Sequence, residues 1–179
     1  MDRCRSLGLD RIALTDHNTA AGALELKRRE PELAIVGEEV KSSEGDIIGL
    51  FLTGSLSAGG RPEEVCEAIH AMGGLTYACH PFDRRRASFR PERLVELAPW
   101  LDIIETHNAW AHPSANRTAA EYCRELGKVA ATGSDSHAAG ELGSTWMEIE
   151  PYADAADFLE KLRDARHVVT GRAGRGPRG

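Results

Sequence analysis

Leu75-Thr76-Tyr77-Ala78-Cys79-His80-Pro81 is a short apolar run closed by an imidazole, the signature of a buried strand that delivers a polar side chain at its end. The arrangement recurs along the chain. Arg11-Ile12-Ala13-Leu14 runs into Thr15-Asp16-His17-Asn18, and Leu33-Ala34-Ile35-Val36 into Gly37-Glu38-Glu39-Val40. Val129-Ala130-Ala131-Thr132 runs into Gly133-Ser134-Asp135-Ser136-His137. Each apolar run has strand length, and each ends in a side chain that binds metals well. In barrels of parallel strands the loops at the C-terminal strand ends share one face, so such residues converge. His17, Glu39, His80, Asp135 and His137 are therefore expected to form a mixed imidazole and carboxylate metal centre, with Asp16 beside it.

Working outward, helix-like segments alternate with these strands, the pattern of an α/β fold. Met1–Leu7 reads as a helix end closed by Gly8, and a strand is expected over Leu9–Leu14. Asn18 or Thr19 is expected to cap the next helix, which carries Ala23, Leu24 and Leu26 inward. Strands near Leu33–Val40 and Asp46–Leu52 are joined by a turn too short for a parallel crossover, so they read as an antiparallel or bent pair. Pro62 suits a helix start, with Val65, Ala68, Ile69 and Met72 at helical spacing. Further helices are expected at Pro91–Leu97, Pro113–Leu126 and after the cap Asp154. Strands are expected at Leu101–Glu105, Thr145–Glu150 and Val168–Thr170.

The chain has 179 residues and a formal charge of −6. That length holds one domain with a real core. The acidic balance argues against a general nucleic-acid or membrane surface. Cys4, Cys66, Cys79 and Cys123 are widely spaced, with no Cys-x-x-Cys pair, and read as reduced core residues. Without an apolar span or a signal-like start, the expected location is cytoplasmic.

Taken together, Thr-Asp-His-Asn, the second Glu of Gly-Glu-Glu-Val, His-Pro and Ser-Asp-Ser-His resemble the motifs of the PHP (polymerase and histidinol phosphatase) family, in the family's order. The resemblance implies a distorted (β/α)7-type barrel over residues 1–172, with 173–179 a disordered tail. It implies hydrolysis of a phosphate ester by water activated on two or three Mn, Zn or Fe ions. By motif, His17 and His137 would serve one metal position, Glu39 would bridge two, His80 would bind another, and Asp135 would bind beside the family's first motif. That first motif, Asp-x-His-x-His on an opening strand, is not found before the first helix. The barrel is therefore expected to be incomplete and open at one edge, an edge that invites pairing with a second copy. Asp46 stands where many relatives have His and is expected as a metal or supporting residue, as is Asp16.

Arg84, Arg85 and Arg86, after His80-Pro81, form a basic run on the expected site face, and one of them is expected to grip phosphate. Asn108 is a candidate for a substrate or loop hydrogen bond. His70, His107, His112 and His167 read as structural or surface residues. The expected partner is a small phosphorylated substrate, with nucleic acid only as a short substrate and no membrane. The alternative reading is a catalytically impaired or truncated PHP domain that serves as a metal-binding or structural module.

Overall fold

The computed structural model describes residues 2–170, so the expected tail at 173–179 lies outside the described residues. Helix α1 (Asp2–Leu7) precedes strand β1 (Ile12–Leu14), helix α2 (Ala21–Arg29) and the pair β2 (Ala34–Lys41) and β3 (Asp46–Leu50). Helix α3 (Pro62–Ala71), strand β4 (Leu75–Ala78), helix α4 (Pro91–Leu97) and strand β5 (Ile103–Asn108) follow. Helix α5 (Pro113–Glu125), strands β6 (Val129–Gly133) and β7 (Thr145–Glu148), helix α6 (Ala155–Leu162) and strand β8 (Arg166–Val169) complete it.

The first six strands form one curled sheet in chain order, β1 to β6. β1–β2, β4–β5 and β5–β6 pair in parallel, whereas β3 runs antiparallel to both neighbours. That reversal follows from the tight Ser42–Gly45 turn, where Gly45 N bonds Ser42 Oγ at 3.1 Å. It also brings the first residue of β3, Asp46, to the end where the parallel strands finish. The architecture is that of an incomplete barrel: among the described residues β7 and β8 pair only with each other, as a separate two-stranded ribbon. The ribbon leans on β6 through the Thr132 and Thr145 hydroxyls, 2.8 Å apart.

Two apolar layers result from the period-2 alternation of the strands. Val36, Val40, Ile47, Ala78 and Ile104 face the helices. Ile35, Leu50, Leu75, Tyr77, Ile103 and Val129 face the barrel interior, where α6 plugs the far end with Phe158 and Leu162. An open groove of about 1310 Å³ runs from that interior up to the strand ends.

Three local expectations are corrected. The cap of α2 is Ala20, with no side-chain cap bond. Asn18, at φ 56°, instead accepts from Lys41 N at 2.8 Å, and Thr19 Oγ1 accepts from Ala21 N at 3.2 Å. β1 is shorter than Leu9–Leu14 because Leu9 N bonds back to Cys4 O, closing α1 at Gly8. β5 starts later than Leu101, whose amide closes a 3-10 turn onto Ala98 O, and runs on to Asn108 past a bulge between Glu105 and His107. Asp154 caps α6 as expected, its Oδ1 accepting from Asp157 N at 3.0 Å.

Phe158 is buried, its ring centroid 5.1 Å from that of Phe51 in a tilted contact and 4.9 Å from that of Tyr152 edge-to-face, so it holds the plug in place. Phe158→Ala should destabilise the protein by about 3–5 kcal/mol in denaturant unfolding. A loss under about 1 kcal/mol would mean that α6 does not seal the interior.

Candidate metal centre

The strand ends place the expected ligands together. An isolated parallel bridge, His17 to Glu39, carries the β1–β2 pairing beyond β1 and up to the site. Glu39 points inward from β2, with Oε1 3.1 Å from His80 Nε2 and 3.8 Å from His17 Nδ1. Glu38, on the opposite face of β2 as alternation requires, is fully buried and accepts from Leu56 N at 2.9 Å. Across the site, Asp135 Oδ1 lies 3.6 Å from His137 Nδ1, and the rings of His17 and His137 approach to 6.4 Å between centroids. His80 and Glu39 are buried, whereas His17 and His137 stand at the rim, more than half exposed. A buried base flanked by exposed imidazoles opens toward solvent.

The other candidates divide. Asp46 is buried close to Glu39 and His80; burial first, then Glu39, pushes its carboxyl up. The Asp16 carboxylate packs against Gly22 in the first turn of α2. Of the three arginines, Arg86 reaches in, its guanidinium 2.7 Å from Asp135 Oδ2. Arg85 is bound instead to Asp83 and to Trp110 O, at 3.1 and 2.6 Å, and Arg84 is exposed. Asn108 is buried, and both ends of its amide are used within the protein. Nδ2 donates to Glu105 and Asp135, and Oδ1 accepts from Trp110 N and Ala111 N.

His107 is tied to α5, with Nδ1 3.3 Å from Asn116 Nδ2, and burial lowers its pKa. His112 caps α5 by accepting from Ser114 N at 3.3 Å. His70 pairs with Asp102 at 2.9 Å, away from the strand ends, and His167 lies on β8. All four have the structural placements expected of them.

Glu105 was not singled out from the sequence, yet it organises the site. Its carboxylate is buried and accepts from His80 N at 2.6 Å, the Tyr77 hydroxyl at 2.9 Å and Asn108 Nδ2 at 3.0 Å. The bond to His80 N holds that residue in a left-handed backbone, φ 32°, which turns a side chain out of simple strand alternation. Asp135 is likewise left-handed, φ 47°, and Asn108 links it to Glu105. A Cβ at Gly133 would lie 2.1 Å from Glu105 Oε1, so the glycine is what admits the carboxylate. The signal was present: Glu105 is a lone charge at an inward position of an apolar run, where a carboxylate needs a reason to be.

Burial by itself would raise the Glu39 pKa, but the His80 hydrogen bond and the charges of His80, His17 and Arg86 hold it below the ordinary 4.5. Burial would likewise lower His80, but the Glu39 hydrogen bond and the charges of Glu105, Glu39 and Asp135 raise it above 6.5. Burial pushes Glu105 itself up. The donor set of imidazole nitrogen and carboxylate oxygen suits divalent zinc, manganese or iron. His80 Nδ1 is buried without a hydrogen-bond partner. These residues fit a divalent ion.

Comparison with known proteins follows the same line. A family profile described as PHP-associated matches residues 113–167. The chain is 39% identical over 106 residues to the uncharacterized protein MJ1587 of Methanocaldococcus jannaschii, covering 58% of this chain and 60% of that protein. It is 32% identical over 141 residues to MJ0417 of the same organism, covering 76% of this chain and 56% of the relative. The chain thus spans a little over half the length of the curated relatives it matches. Its fold is similar to that of PsfC from Pseudomonas syringae PB-5123, with TM-score 0.72 and 17% identity over 97% of this chain and 82% of that one. It is also similar to a two-domain Bacteroides vulgatus protein containing a predicted PHP-like metal-dependent phosphoesterase, with TM-score 0.50 and 18% identity over 69% of this chain and 42% of that one. A proposed metal-dependent phosphoesterase of Bifidobacterium adolescentis gives TM-score 0.61 and 15% identity over 78% of this chain and 81% of that one.

The Glu39–His80 pair sets a pH window for the metal-free protein. Glu39, held low, adds stability above pH 4.5 that is lost as pH falls through its folded value. His80, held high, adds stability below pH 6.5 that is lost as pH rises through its folded value. Glu39→Gln should therefore cost most between pH 4.5 and 6.5, about 2 kcal/mol in urea unfolding, and less on either side. A pH-independent cost would show that the pair is not charged.

Proposed function

We propose that the chain, which matches a PHP-associated profile over residues 113–167, is a PHP-type metal-dependent phosphoesterase acting on a small phosphorylated substrate. The observation that carries this reading is the meeting of Glu39, His80, His17, Asp135 and His137 at one end of the curled sheet, with Arg86 among them. Glu39 and His80 would hold one divalent ion at the base, with His17 beside them. Asp135 and His137 would hold ions on the opposite wall, and Asp46 would add charge from β3. Manganese, zinc and iron all suit this set, two or three to a site. Such ions, when bound, supply a hydroxide near neutral pH and offset charge on the phosphoryl oxygens.

The chain's own residues complete the chemistry. Arg86 would take phosphate oxygens, a reading supported by its guanidinium lying on the site carboxylate Asp135. Glu105 restrains the His80 backbone and, through Asn108, the Asp135 side chain, so both are held near the site before anything binds. Water is consumed, the ester P–O bond breaks, and the products are an alcohol and phosphate. The rim histidines leave the site open to solvent, which suits a compact substrate entering from outside. Among the described residues no helix is long and apolar enough to cross a membrane. The reading places the protein in the cytoplasm, and the edge of β1 that does not pair with β2 is a surface where a second copy could add a strand.

Hydrolysis of a phosphomonoester and phosphodiester panel with Mn or Zn tests the reading. His80→Ala and Asp135→Ala should each lower kcat/KM by at least about a thousandfold, as expected when metal-activated water is lost. Arg86→Ala should chiefly raise KM. Stoichiometric metal binding with no hydrolysis across the panel would favour a metal-binding module instead.

A further inference from the structure

Cys79 stands against the ligand pair and has no part in the chemistry above. Its side chain belongs to the barrel interior and is 2% exposed, beside β2 and the start of β3. Sγ lies 3.5 Å from Asp46 O and 4.0 Å from Glu39 Oε1. Glu39 Oε1 is in turn 3.1 Å from His80 Nε2. The three residues offer donor atoms that all fall within 4.8 Å of one another, and all three are buried. Donors sharing one tetrahedral zinc, at about 2.0–2.3 Å each, stand roughly 3.3–3.6 Å apart, so a shift of about an ångström closes the set. His80, 3% exposed with an unpartnered Nδ1, is an imidazole not yet fully used. Among the described residues no other cysteine belongs to such a group.

We propose that Cys79 is a thiolate ligand to the ion held by Glu39 and His80, which gives one position of the centre a sulfur donor and selects zinc there over manganese. The inference rests on the proposed metal centre and names its chemistry at one position. The step is an exchange: the S–H bond breaks, a sulfur–metal bond forms, and the proton leaves to solvent. Thiolate is a soft donor that favours zinc, whereas a purely carboxylate and imidazole set accepts manganese readily. A divalent cation that coordinates the sulfur takes the place of its proton, as metals do at a coordinating thiol.

Cobalt(II) is the probe, added to the whole chain. Wild type should show a near-ultraviolet sulfur-to-cobalt charge-transfer band together with visible ligand-field bands. Cys79→Ser should keep the ligand-field bands and lose the charge-transfer band. The same variant should lose about tenfold or more in zinc affinity, with manganese affinity little changed. X-ray absorption on the zinc-loaded wild type should find one sulfur at about 2.3 Å, a measurement that does not depend on the variant folding. Cobalt bound without charge transfer, a band that persists in Cys79→Ser, or zinc bound with only nitrogen and oxygen neighbours would each overturn the thiolate while leaving the metal centre intact. No cobalt or zinc bound at all would overturn both.

Discussion

One buried carboxylate holds the site end of this fold together. Glu105 takes a backbone N–H from β4's end, a hydroxyl from within β4, and a side-chain amide from the end of its own strand. A carboxylate in a low-dielectric interior is costly unless it is hydrogen-bonded, and here three donors reach it. The result is rigidity where it matters. His80 is pinned through its own amide, and Asp135 is tied through Asn108, so two residues distant in sequence answer to one group. Gly133 completes the arrangement by leaving room for the carboxylate on β6.

Backbone strain concentrates around the same end. His80 and Asp135 both occupy the left-handed region, as do Asn18, which follows His17, and Phe82, which leads into the arginine loop. Non-glycine residues in that region cost about 1–3 kcal/mol each when nothing compensates them. The hydrogen bonds to Glu105, and the bond from Lys41 N to Asn18, are what offset that cost. Site geometry is thus obtained against local preference, with a packed sheet beneath it supplying the support.

The parts that could be read from sequence are those governed by local pattern. Apolar runs ending in His17, Glu39, His80 and Asp135 gave both the strands and the face they share, because strand direction and alternation leave few choices. Alternation requires that only one of Glu38 and Glu39 face the interior, and the motif resemblance points to Glu39. The parts that could not be read depend on distant contacts. Which of Arg84, Arg85 and Arg86 turns inward is decided by Asp83 and Trp110 O capturing Arg85, and by Asp135 receiving Arg86. Ala20 ends up as the cap of α2 because Asn18 is drawn off to β2. The β7–β8 ribbon separates from the main sheet through pairing between segments about twenty residues apart, which no local signal specifies.

The Arg86–Asp135 ion pair has a thermodynamic consequence. An arginine seated on a ligand carboxylate is a resident counter-charge, which any cation arriving at Asp135 must displace. Once displaced, the guanidinium is free for an anion, and an anion that engages it in turn vacates the carboxylate. Cation and anion affinities in such a site are linked, each raising the other by the same factor. Neither partner then has to bind tightly alone for the two together to be held.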